Sequence, residues 1–328
     1  MPVMVGRNRS HSELDGAPSQ GCGTSLQAMV NAAAAGSTLD VSGCSYTAGA
    51  TISKALTVKG CNIQLVGTAK RGLIVASDSV TIDTVGITGT GASSYNDSER
   101  GIQVDGAYTG LVVKNTTIDS VQGYGIWMHN VVNPTIGSAG NVNTITNCGY
   151  TGIAGLSLVG GTIAYNTVGH IGEFTSVGGP PPGENNAYGI FVSAFDGDAL
   201  SADVTIDHND VSYVPNWEAI DTHGGLRLNF TTNHISFSLR AFVFTTTSDG
   251  RKCTDIVATG NTMDNPYSPG TAAHPTYAGD YKTFLLDAVH NSTIQNNTSV
   301  GYPADKREIY DLGGLSDGTK VWTPNSFG

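Results

Sequence analysis

The sequence predicts an all-β protein built as a single parallel β-helix domain, and three observations lead to this prediction. Short β-branched segments recur along most of the chain, each carries an asparagine at the same point, and each unit ends in a second short apolar run. Gly occurs 43 times, and charged residues make up only 13% of the chain. Such a composition is typical of many short strands joined by tight turns.

The asparagine repeat sets the length of the unit. In six segments, two or three β-branched residues precede an Asn, and an aliphatic residue follows two places after it. The six asparagines are Asn115, Asn166, Asn209, Asn233, Asn261 and Asn297. A weaker copy of the pattern lies near Asn143. The unit is too short for a strand–helix–strand crossover, which takes about 30 residues. Stacked units would instead pair strand on strand in parallel, with asparagine amides hydrogen-bonded along the stack.

The ends of the chain differ from the repeat. We expect residues 1–21 to form a flexible arm, residues 22–314 the β-helix and residues 315–328 a C-terminal tail. One amphipathic helix over 25–35, with Ser25 as its N-cap and Gly36 at its end, would cover the first coil. Cys22 and Cys44 flank this helix, and the sequence leaves open whether they form a disulfide or stay buried free thiols.

Charge excludes some partners. A net charge of −11 with 16 basic residues argues against nucleic-acid binding, which needs a dense basic face. No apolar run reaches the roughly 20 residues of a membrane span. The first 20 residues lack the apolar core of a signal peptide, so we expect a mature secreted protein or one assembled into a virus particle, located outside the cell or on the virion surface. A strongly anionic substrate would need a local basic cluster or a cation to offset the field.

The repeat resembles a known family. The Asn-x-aliphatic step, the Gly-Ile runs and the leading helix are similar to those of right-handed parallel β-helix proteins of the pectin-lyase-like superfamily, over about residues 22–314. This resemblance implies a right-handed β-helix. It also implies one of several functions, because the superfamily includes polysaccharide lyases, uronan C5-epimerases, glycoside hydrolases and phage tailspike depolymerases.

Aligning the units on the second apolar run predicts two columns of outward-facing residues. Side chains alternate along a strand, so the residues one and three places after an inward Ile point outward. These pairs are Gln103 and Asp105, Trp127 and His129, Ala154 and Leu156, Phe191 and Ser193, Asp221 and His223, and Val243 and Thr245. The residues before the runs form a bend column: Arg100, Tyr124, Thr151, Tyr188, Glu218 and Arg240. We expect an exposed, sugar-binding face that includes Asp105, Trp127, His129, Phe191 and Trp217.

The stretch Trp217 to Gly225 is the candidate catalytic site. Asp221, His223, Glu218, Tyr188 and Arg240 would come together from neighbouring coils. Proton abstraction at C5 of a uronic acid needs a base, a group that neutralises the substrate carboxylate, and an acid. His223 or Tyr188 could be the base and Arg240 the neutralising cation. The main hypothesis is therefore an enzyme that cleaves or modifies an extracellular or capsular polysaccharide by lyase or C5-epimerase chemistry.

A motif within this stretch resembles one in alginate C5-epimerases of the same superfamily. Those enzymes carry Asp-Pro-His-Asp/Glu in a comparable coil, and this chain matches at Asp221 and His223. It departs at Thr222, which replaces Pro, and at Gly224, which replaces the acidic residue. The second departure weakens the case for epimerase activity.

Two alternatives remain open. A glycoside hydrolase would use two carboxylates across the scissile bond, with Glu218 and Asp221 as the first candidates and Asp196, Asp198 or Glu184 as others. A non-catalytic phage tailspike or adhesin would only bind the glycan, and a tailspike would be expected to form a homotrimer. No ligand cluster has a convincing Ca²⁺ spacing, so no metal or other cofactor is predicted. Inserts at His170–Ala187 and Asn265–Asp280 interrupt the repeat, and the first could wall the groove near Asp221.

Overall fold

A computed structural model describes residues 21–68, 70–91, 98–173, 186–265, 282–302, 309–312, 316–317 and 326–327. It contains one helix, α1 (Leu26–Ala32), within those residues. The strands are β1 (Thr38–Asp40), β2 (Ser45–Tyr46), β3 (Ala50–Ile52), β4 (Leu56–Lys59), β5 (Asn62–Gln64), β6 (Arg71–Val75), β7 (Val80–Asp83), β8 (Gly86–Thr88), β9 (Arg100–Asp105), β10 (Val112–Lys114), β11 (Thr117–Asp119), β12 (Tyr124–His129), β13 (Thr135–Ile136), β14 (Asn143–Thr146), β15 (Thr151–Leu156), β16 (Thr162–Ala164), β17 (Asn166–Gly169), β18 (Tyr188–Ser193), β19 (Thr205–Asp207), β20 (Asp210–His223), β21 (Asn229–Thr231), β22 (His234–Thr245), β23 (Val257–Thr259), β24 (Thr262–Asp264), β25 (Lys282–Leu286), β26 (Thr293–Gln295), β27 (Thr298–Val300), β28 (Ile309–Asp311) and β29 (Ser326–Phe327).

The strands stack into a parallel β-helix, which confirms the predicted fold class. Sheet one holds ten strands in the order β1-β4-β7-β10-β13-β16-β19-β21-β23-β26. Sheet two runs from β2 through β5, β8, β11, β14 and β17, and sheet three from β3 through β6, β9, β12, β15 and β18. The long strands β20 and β22 pass through both, so sheets two and three are continuous there. Every strand pairing is parallel, and each coil contributes to all three sheets.

The core is a column of inward-facing aliphatic and aromatic side chains. Ile126, Ile153, Ile190 and Ile220 stand in register on successive strands of sheet three and are fully buried. In the later coils phenylalanines replace them, and the rings of Phe242 and Phe284 stack 4.8 Å apart. The predicted inward position of the second apolar run is therefore confirmed.

A buried asparagine ladder runs along the start of sheet two. Asn143 Nδ2 donates to Asn166 Oδ1 (2.9 Å), and the same contact repeats from Asn166 to Asn209 (2.8 Å) and from Asn209 to Asn233 (3.0 Å). It continues through Asn261 to Asn297. The predicted ladder is confirmed at these positions, including the weaker copy at 143.

Asn115 was wrongly placed in this ladder. It lies one residue before the ladder position, has a φ of 52° and is exposed, with its amide donating to Asp83. Thr116 occupies the buried position instead, and its backbone N–H donates to Asn143 Oδ1 (3.0 Å). The corresponding residues of later coils, Tyr165 and His208, also have positive φ. The role of Asn115 is therefore to adopt this left-handed bend conformation, and its amide takes no part in the ladder.

The N-terminal helix covers the first coil as expected. Ser25 Oγ accepts a hydrogen bond from Ala28 N (3.1 Å), and Leu26 and Val30 are buried. The predicted C-terminal bound was wrong: the helix ends at Ala32 because Ala33 is already extended, so Gly36 lies beyond it. A disulfide joins Cys22 to Cys44 and attaches the helix to the first coil.

The ends of the chain complete the description. Residues 1–20 and most of both predicted inserts lie outside the described residues. In the predicted tail, β29 pairs with β27, so strand pairing reaches past residue 314. Within the described chain, no helix is long and apolar enough to cross a membrane.

Candidate active site

Sheet three brings the predicted site residues into two adjoining columns. Glu218 pairs in register with Tyr188 on one side and with Arg240 on the other. Asp221 stands next to Phe191 and Val243, and His223 next to Thr245. The register inferred from the repeat is therefore the register of the structure, and Tyr188, Glu218 and Arg240 do come from three neighbouring coils.

The centre of the site is an acid–base cluster of four side chains. Glu218 Oε1 accepts a hydrogen bond from Arg240 Nη1 (2.8 Å), and Asp221 Oδ2 lies 3.2 Å from His223 Nε2. Both carboxylates are buried, with 2% of Glu218 and none of Asp221 exposed. Glu218 Oε2 and both carboxylate oxygens of Asp221 have no hydrogen-bond partner among the described residues. Buried polar atoms without partners are costly, so this cluster is held in place by the surrounding fold.

Burial and neighbouring charge shift the protonation of the cluster. Burial, together with the Asp221 charge, raises the pKa of Glu218 well above its ordinary value, although Arg240 and His223 act in the opposite direction. For His223, burial lowers the pKa, but the Asp221 carboxylate and then Glu218 outweigh it and raise the pKa to about 9. His223 is therefore cationic at neutral pH, and Glu218 takes up a proton more readily than an ordinary glutamate.

Tyr188 is also held in its protonated form. Burial raises the pKa of its phenol far above the ordinary value, and the charges of Asp221 and Glu218 add to this effect. A hydrogen bond with Trp217 works in the opposite direction. The Trp217 ring lies under the Arg240 guanidinium, 4.1 Å from its centroid, so Trp217 packs against the bend column and connects Tyr188 to Arg240.

The same cluster has the composition of a metal site. Glu218, Asp221 and His223 each place one ligand atom within 4.8 Å of the others, a spacing that a divalent cation could use. Arg240 already neutralises Glu218, however, and protonated His223 neutralises Asp221. We interpret the cluster as a site that handles protons.

An aromatic cavity of about 490 Å³ lies over the cluster. Among the described residues it is lined by rings from four coils and by polar groups from two loops: Tyr124, Trp127, Tyr150, Tyr188, Phe191, Phe195, Ser193, Asp196, His223, Thr247 and Ser248, with Leu156 and Ala194. His223 lines this cavity, whereas Glu218, Asp221 and Arg240 lie behind it. The His223 imidazole therefore lies between the buried carboxylates and the cavity.

Two loops, 194–203 and 246–252, form one wall of this cavity and are docked on each other. Arg251 donates to the backbone carbonyl of Phe195 (2.8 Å) and to Asp249 Oδ1 (2.8 Å). Gly197 N donates to Asp249 Oδ2 (3.1 Å), and Asp249 N donates to Asp196 Oδ1 (3.2 Å). These bonds hold the exposed carboxylate of Asp196 on the cavity wall.

Gly224 allows the second loop to come close. Its φ is +70°, and a Cβ built there would lie 2.7 Å from Thr247 Cγ2. The Gly224 backbone also donates to Thr245 O (2.9 Å). The bend after His223 therefore needs glycine at this position for both its conformation and its contact.

The predicted sugar-binding residues have different environments. Phe191 lines the cavity and meets the edge of the His223 ring at 5.6 Å. Trp127 also lines it but is 93% buried, with the Arg100 guanidinium 4.1 Å from its ring centroid. The expectation of an exposed face was therefore wrong at Trp127, which is buried, whereas Asp105 is exposed and Phe191, His129 and Trp217 are half-buried. The Phe195 ring of the first loop packs against Trp127 and His129.

His129 and Asp105 lie outside the cluster, beside the first of the two loops. His129 Nδ1 is 2.8 Å from Asp105 and Nε2 is 3.0 Å from Asp198. Burial lowers the pKa of His129, but hydrogen bonds to Asp198 and Asp105 raise it overall. This histidine anchors the loop that contains Asp196, a contact that linear sequence separation concealed.

Sequence reasoning missed several cavity residues. Tyr150 precedes the bend column by one position and its ring meets Tyr124 and Tyr188 at 5.3 and 5.7 Å. Phe195, Thr247 and Ser248 come from loops without periodicity. The one signal in the sequence that pointed to this region was the pair Asp196 and Asp198, nominated as alternative carboxylates.

Comparisons with known proteins are consistent with this architecture. No protein-family model matches the chain, and no curated protein matches it in sequence. A GH136 lacto-N-biosidase from Eubacterium ramulus aligns with a TM-score of 0.55 and 12% identity, over 86% of this chain and 51% of that chain. This chain thus spans about half the length of that structure.

A second similar structure is the DFA-IIIase from Arthrobacter chlorophenolicus A6. It aligns with a TM-score of 0.54 and 13% identity, over 86% of this chain and 80% of that chain. The form of the same protein without its lid, in complex with GF2, aligns with a TM-score of 0.51 and 15% identity, over 81% and 68%. At these identities the similarity establishes the fold.

Proposed function

We propose that this protein hydrolyses glycosidic bonds of an oligosaccharide or polysaccharide bound in the aromatic cavity. The observation that carries the proposal is His223, whose ring lines the cavity while the buried Asp221 carboxylate holds its charge. Aromatic rings stack on the apolar faces of sugars, and polar groups between them orient the hydroxyls. The cavity offers both.

The protonation of the site supports hydrolysis. Cationic His223 donates a proton to the leaving glycosidic oxygen, with Nδ1 as the donor because Nε2 faces Asp221. Asp196, which also lines the cavity, accepts a proton from the attacking water, which adds to the anomeric carbon as the C–O bond breaks. Asp221 and Glu218 act as positioning residues, since they lie behind His223 and reach the substrate only through it.

Lyase and C5-epimerase chemistry fit the site less well. Both begin with removal of a proton from C5, which needs a base that is unprotonated in the resting enzyme. The two bases nominated by the sequence, His223 and Tyr188, both have raised pKa values. Arg240, nominated to neutralise a substrate carboxylate, is already bonded to Glu218.

Similar structures support the same class. The GH136 lacto-N-biosidase and the DFA-IIIase are named for action on carbohydrates, and their fold aligns with most of this chain. We extend the proposal to membership of the pectin-lyase-like superfamily, to a polysaccharide partner, and to a location outside the cell or on a virion. The Cys22–Cys44 disulfide supports that location, because disulfides persist in oxidising compartments. A homotrimer would be expected for a tailspike.

A polysaccharide panel with two readouts tests the proposal. A hydrolase releases reducing ends without new ultraviolet absorbance, a lyase releases both because it creates a C=C bond, and a binding protein gives neither. We expect reducing ends alone, abolished by Asp196→Asn and unaffected by Asp255→Asn, the same change at a site remote from sheet three. New absorbance, or no product from any polymer, would overturn the proposal.

A further inference from the structure

We propose that His129 is a positioning residue that ties the loop 194–203 to sheet three only while its ring is protonated. The loop carries two residues of the cavity wall, Phe195 and Asp196. When the ring becomes neutral, it exchanges its partner on the loop for a neighbouring amide, and this wall of the cavity is released. The inference rests on the proposed function only for the part that these two residues take in hydrolysis.

Both ring nitrogens of His129 face a carboxylate. Nδ1 lies 2.8 Å from Asp105 Oδ1, at the end of β9, and Nε2 lies 3.0 Å from Asp198 Oδ2, on the loop. An imidazole has two N–H donors only in its cationic form, because the neutral ring has one donor and one acceptor. The two contacts together therefore require the charged ring, which connects β9 to the loop.

A third group competes for the same nitrogen of the ring. Asn130 Nδ2 lies 3.2 Å from His129 Nε2, and an amide N–H can only donate to it. Nε2 donates to Asp198 when it is protonated and accepts from Asn130 when it is not, so the two contacts exclude each other. In the neutral ring, Nδ1–H still donates to Asp105 while Nε2 accepts from Asn130. Both nitrogens then have a partner, and the contact with the loop is the one that is lost.

The charges around the ring set the direction of the pH response. In the part of the chain that the structure describes, the charged side chains in contact with His129 are Asp105 and Asp198, and the adjacent strand β15 contributes the neutral Leu156. Burial lowers the pKa of His129, but hydrogen bonds to the two carboxylates outweigh it and raise the pKa above its ordinary value of 6.5. The loop contact is therefore complete below pH 6.5 and is lost as the pH rises through the raised pKa.

The contact with His129 also places the two wall residues. The Phe195 ring lies edge-to-face with the His129 ring at 5.5 Å and packs against the Trp127 ring at 6.1 Å. Asp196 is the next residue, so the contact that places the ring also places the carboxylate. The hydrogen bond from Arg251 to the carbonyl of Phe195 does not depend on His129. We therefore expect the loop to open locally at high pH while the coils beneath it stay folded.

Hydrogen exchange of the loop amides tests the inference without a substrate. Mass spectrometry follows exchange of the segment 194–203 from about pH 5 to 9, corrected for the intrinsic pH dependence of exchange. Nuclear magnetic resonance of labelled histidine follows the protonation of His129. We expect protection of the segment to fall by about tenfold as His129 loses its proton, the scale of one hydrogen bond to a charged group. Protection that is independent of His129 protonation would overturn the inference.

Two histidine variants make the test specific. His129→Gln cannot become cationic, so the segment should have low protection at every pH. His234→Gln is the matched control, because His234 also lies between two aspartates, Asp210 and Asp264 (both 3.1 Å), but on sheet two. Its loop should respond to pH as in the unaltered protein. A pH response that persists in His129→Gln, or disappears in His234→Gln, would contradict the inference.

Asn130→Gly tests the exchange of partners. Asn130 has a φ of 61°, and glycine keeps this conformation while it removes the amide. Neutral His129 then lacks the donor that stabilises it, so we expect the loop to be released at a higher pH than in the unaltered protein. Release at the same or a lower pH would mean that the amide does not compete with Asp198, and would overturn the inference.

The outcomes separate the two proposals. If loop protection follows His129 but no polymer is hydrolysed, the inference stands and the proposed function fails. If a polymer is hydrolysed and loop protection is independent of His129, the proposed function stands and the inference fails. Where both hold, KM for the polymer should rise over the pH range in which the loop is released, and His129→Gln should have a raised KM throughout that range.

Discussion

Two buried polar stacks run through the same coils and differ in how well they are satisfied. In the asparagine ladder, Asn209 Oδ1 accepts from both the backbone and the side chain of Asn166, and its amide donates to Asn233 Oδ1 and Ile163 O. In the Glu218–His223 cluster, three carboxylate oxygens lack hydrogen-bond partners among the described residues, and one of them, Asp221 Oδ2, has only the ion-pair contact with His223. A network in which every hydrogen-bonding atom has a partner stabilises the fold. A buried acid–base cluster whose oxygens lack hydrogen-bond partners is typical of a functional site.

Replacement of the cavity-facing acid–base groups should have the largest effect. In His223→Gln the side chain is similar in size to the imidazole but is neutral, so it cannot act as the general acid. We expect the rate of hydrolysis to fall by about 10²–10⁴-fold. His208→Gln, on the far side of the coil, should retain full activity. Reducing-end assays on the polymer found in the panel measure the effect. Unchanged turnover by the His223 variant would place the chemistry elsewhere.

The buried carboxylates distinguish two forms of the mechanism. In our account Glu218→Gln lowers activity less than Asp196→Asn and mainly displaces the pH profile, since it acts through His223. If the Glu218 variant is inactive at every pH while the Asp196 variant turns over, the buried pair itself acts on the sugar.

Breaking the asparagine ladder should lower the free energy of unfolding and leave the catalytic activity unchanged. Asn209→Ala removes four hydrogen bonds and leaves the amide of Asn166 and the carbonyl oxygen of Asn233 underused, so we expect a loss of about 3–4 kcal/mol in the free energy of unfolding. Urea denaturation measures it, with Asn62→Ala on an exposed strand position as the matched control. A loss no larger than that of the control would mean that the ladder adds nothing.

The cluster should make stability depend on pH. The folded pKa of His223 is about 9, above the ordinary value of about 6.5, so its stabilising contribution is complete below pH 6.5 and is lost as the pH rises to 9. With the side chain 32% exposed, solvent screening reduces this to about 1–2 kcal/mol. His223→Gln should remove that slope, and His170→Gln on the outer bend should keep it. Identical slopes in all three proteins would contradict the proposed pairing with Asp221.

Extending the ladder should have the smallest effect. Thr116 occupies the next ladder position before Asn143 and is fully buried. Thr116→Asn would let a side-chain amide donate to Asn143 Oδ1, and we expect a gain of about 1 kcal/mol in the free energy of unfolding. Destabilisation would show that the first coils cannot accept the amide geometry of the later ones.

The sequence predicted what the repeat determines. Side-chain alternation and the Gly-Ile runs were sufficient to place Tyr188, Glu218 and Arg240 on three neighbouring strands. The error at Asn115 arose because Thr116 takes the ladder position in that coil. Asn115 is the residue directly before it, so the repeat pattern matched Asn115 instead.

The rest of the site depends on contacts without periodicity. The cavity exists because Arg251 and Asp249 dock one loop on another, about 50 residues away in sequence, and because His129 holds Asp198. These contacts turn an expected open face into a cavity. A single sequence carries no spacing signal for such contacts, whereas strand register follows directly from the chain.

Titration of His223 in the folded protein tests the central claim most directly. Selective labelling of histidine and nuclear magnetic resonance across pH 5 to 10 would follow its ring. We predict a pKa of about 9 that falls toward 6.5 in Asp221→Asn. A pKa near 6.5 in the unaltered protein, with no change in the variant, would contradict the proposal that the buried carboxylates keep His223 charged for proton donation.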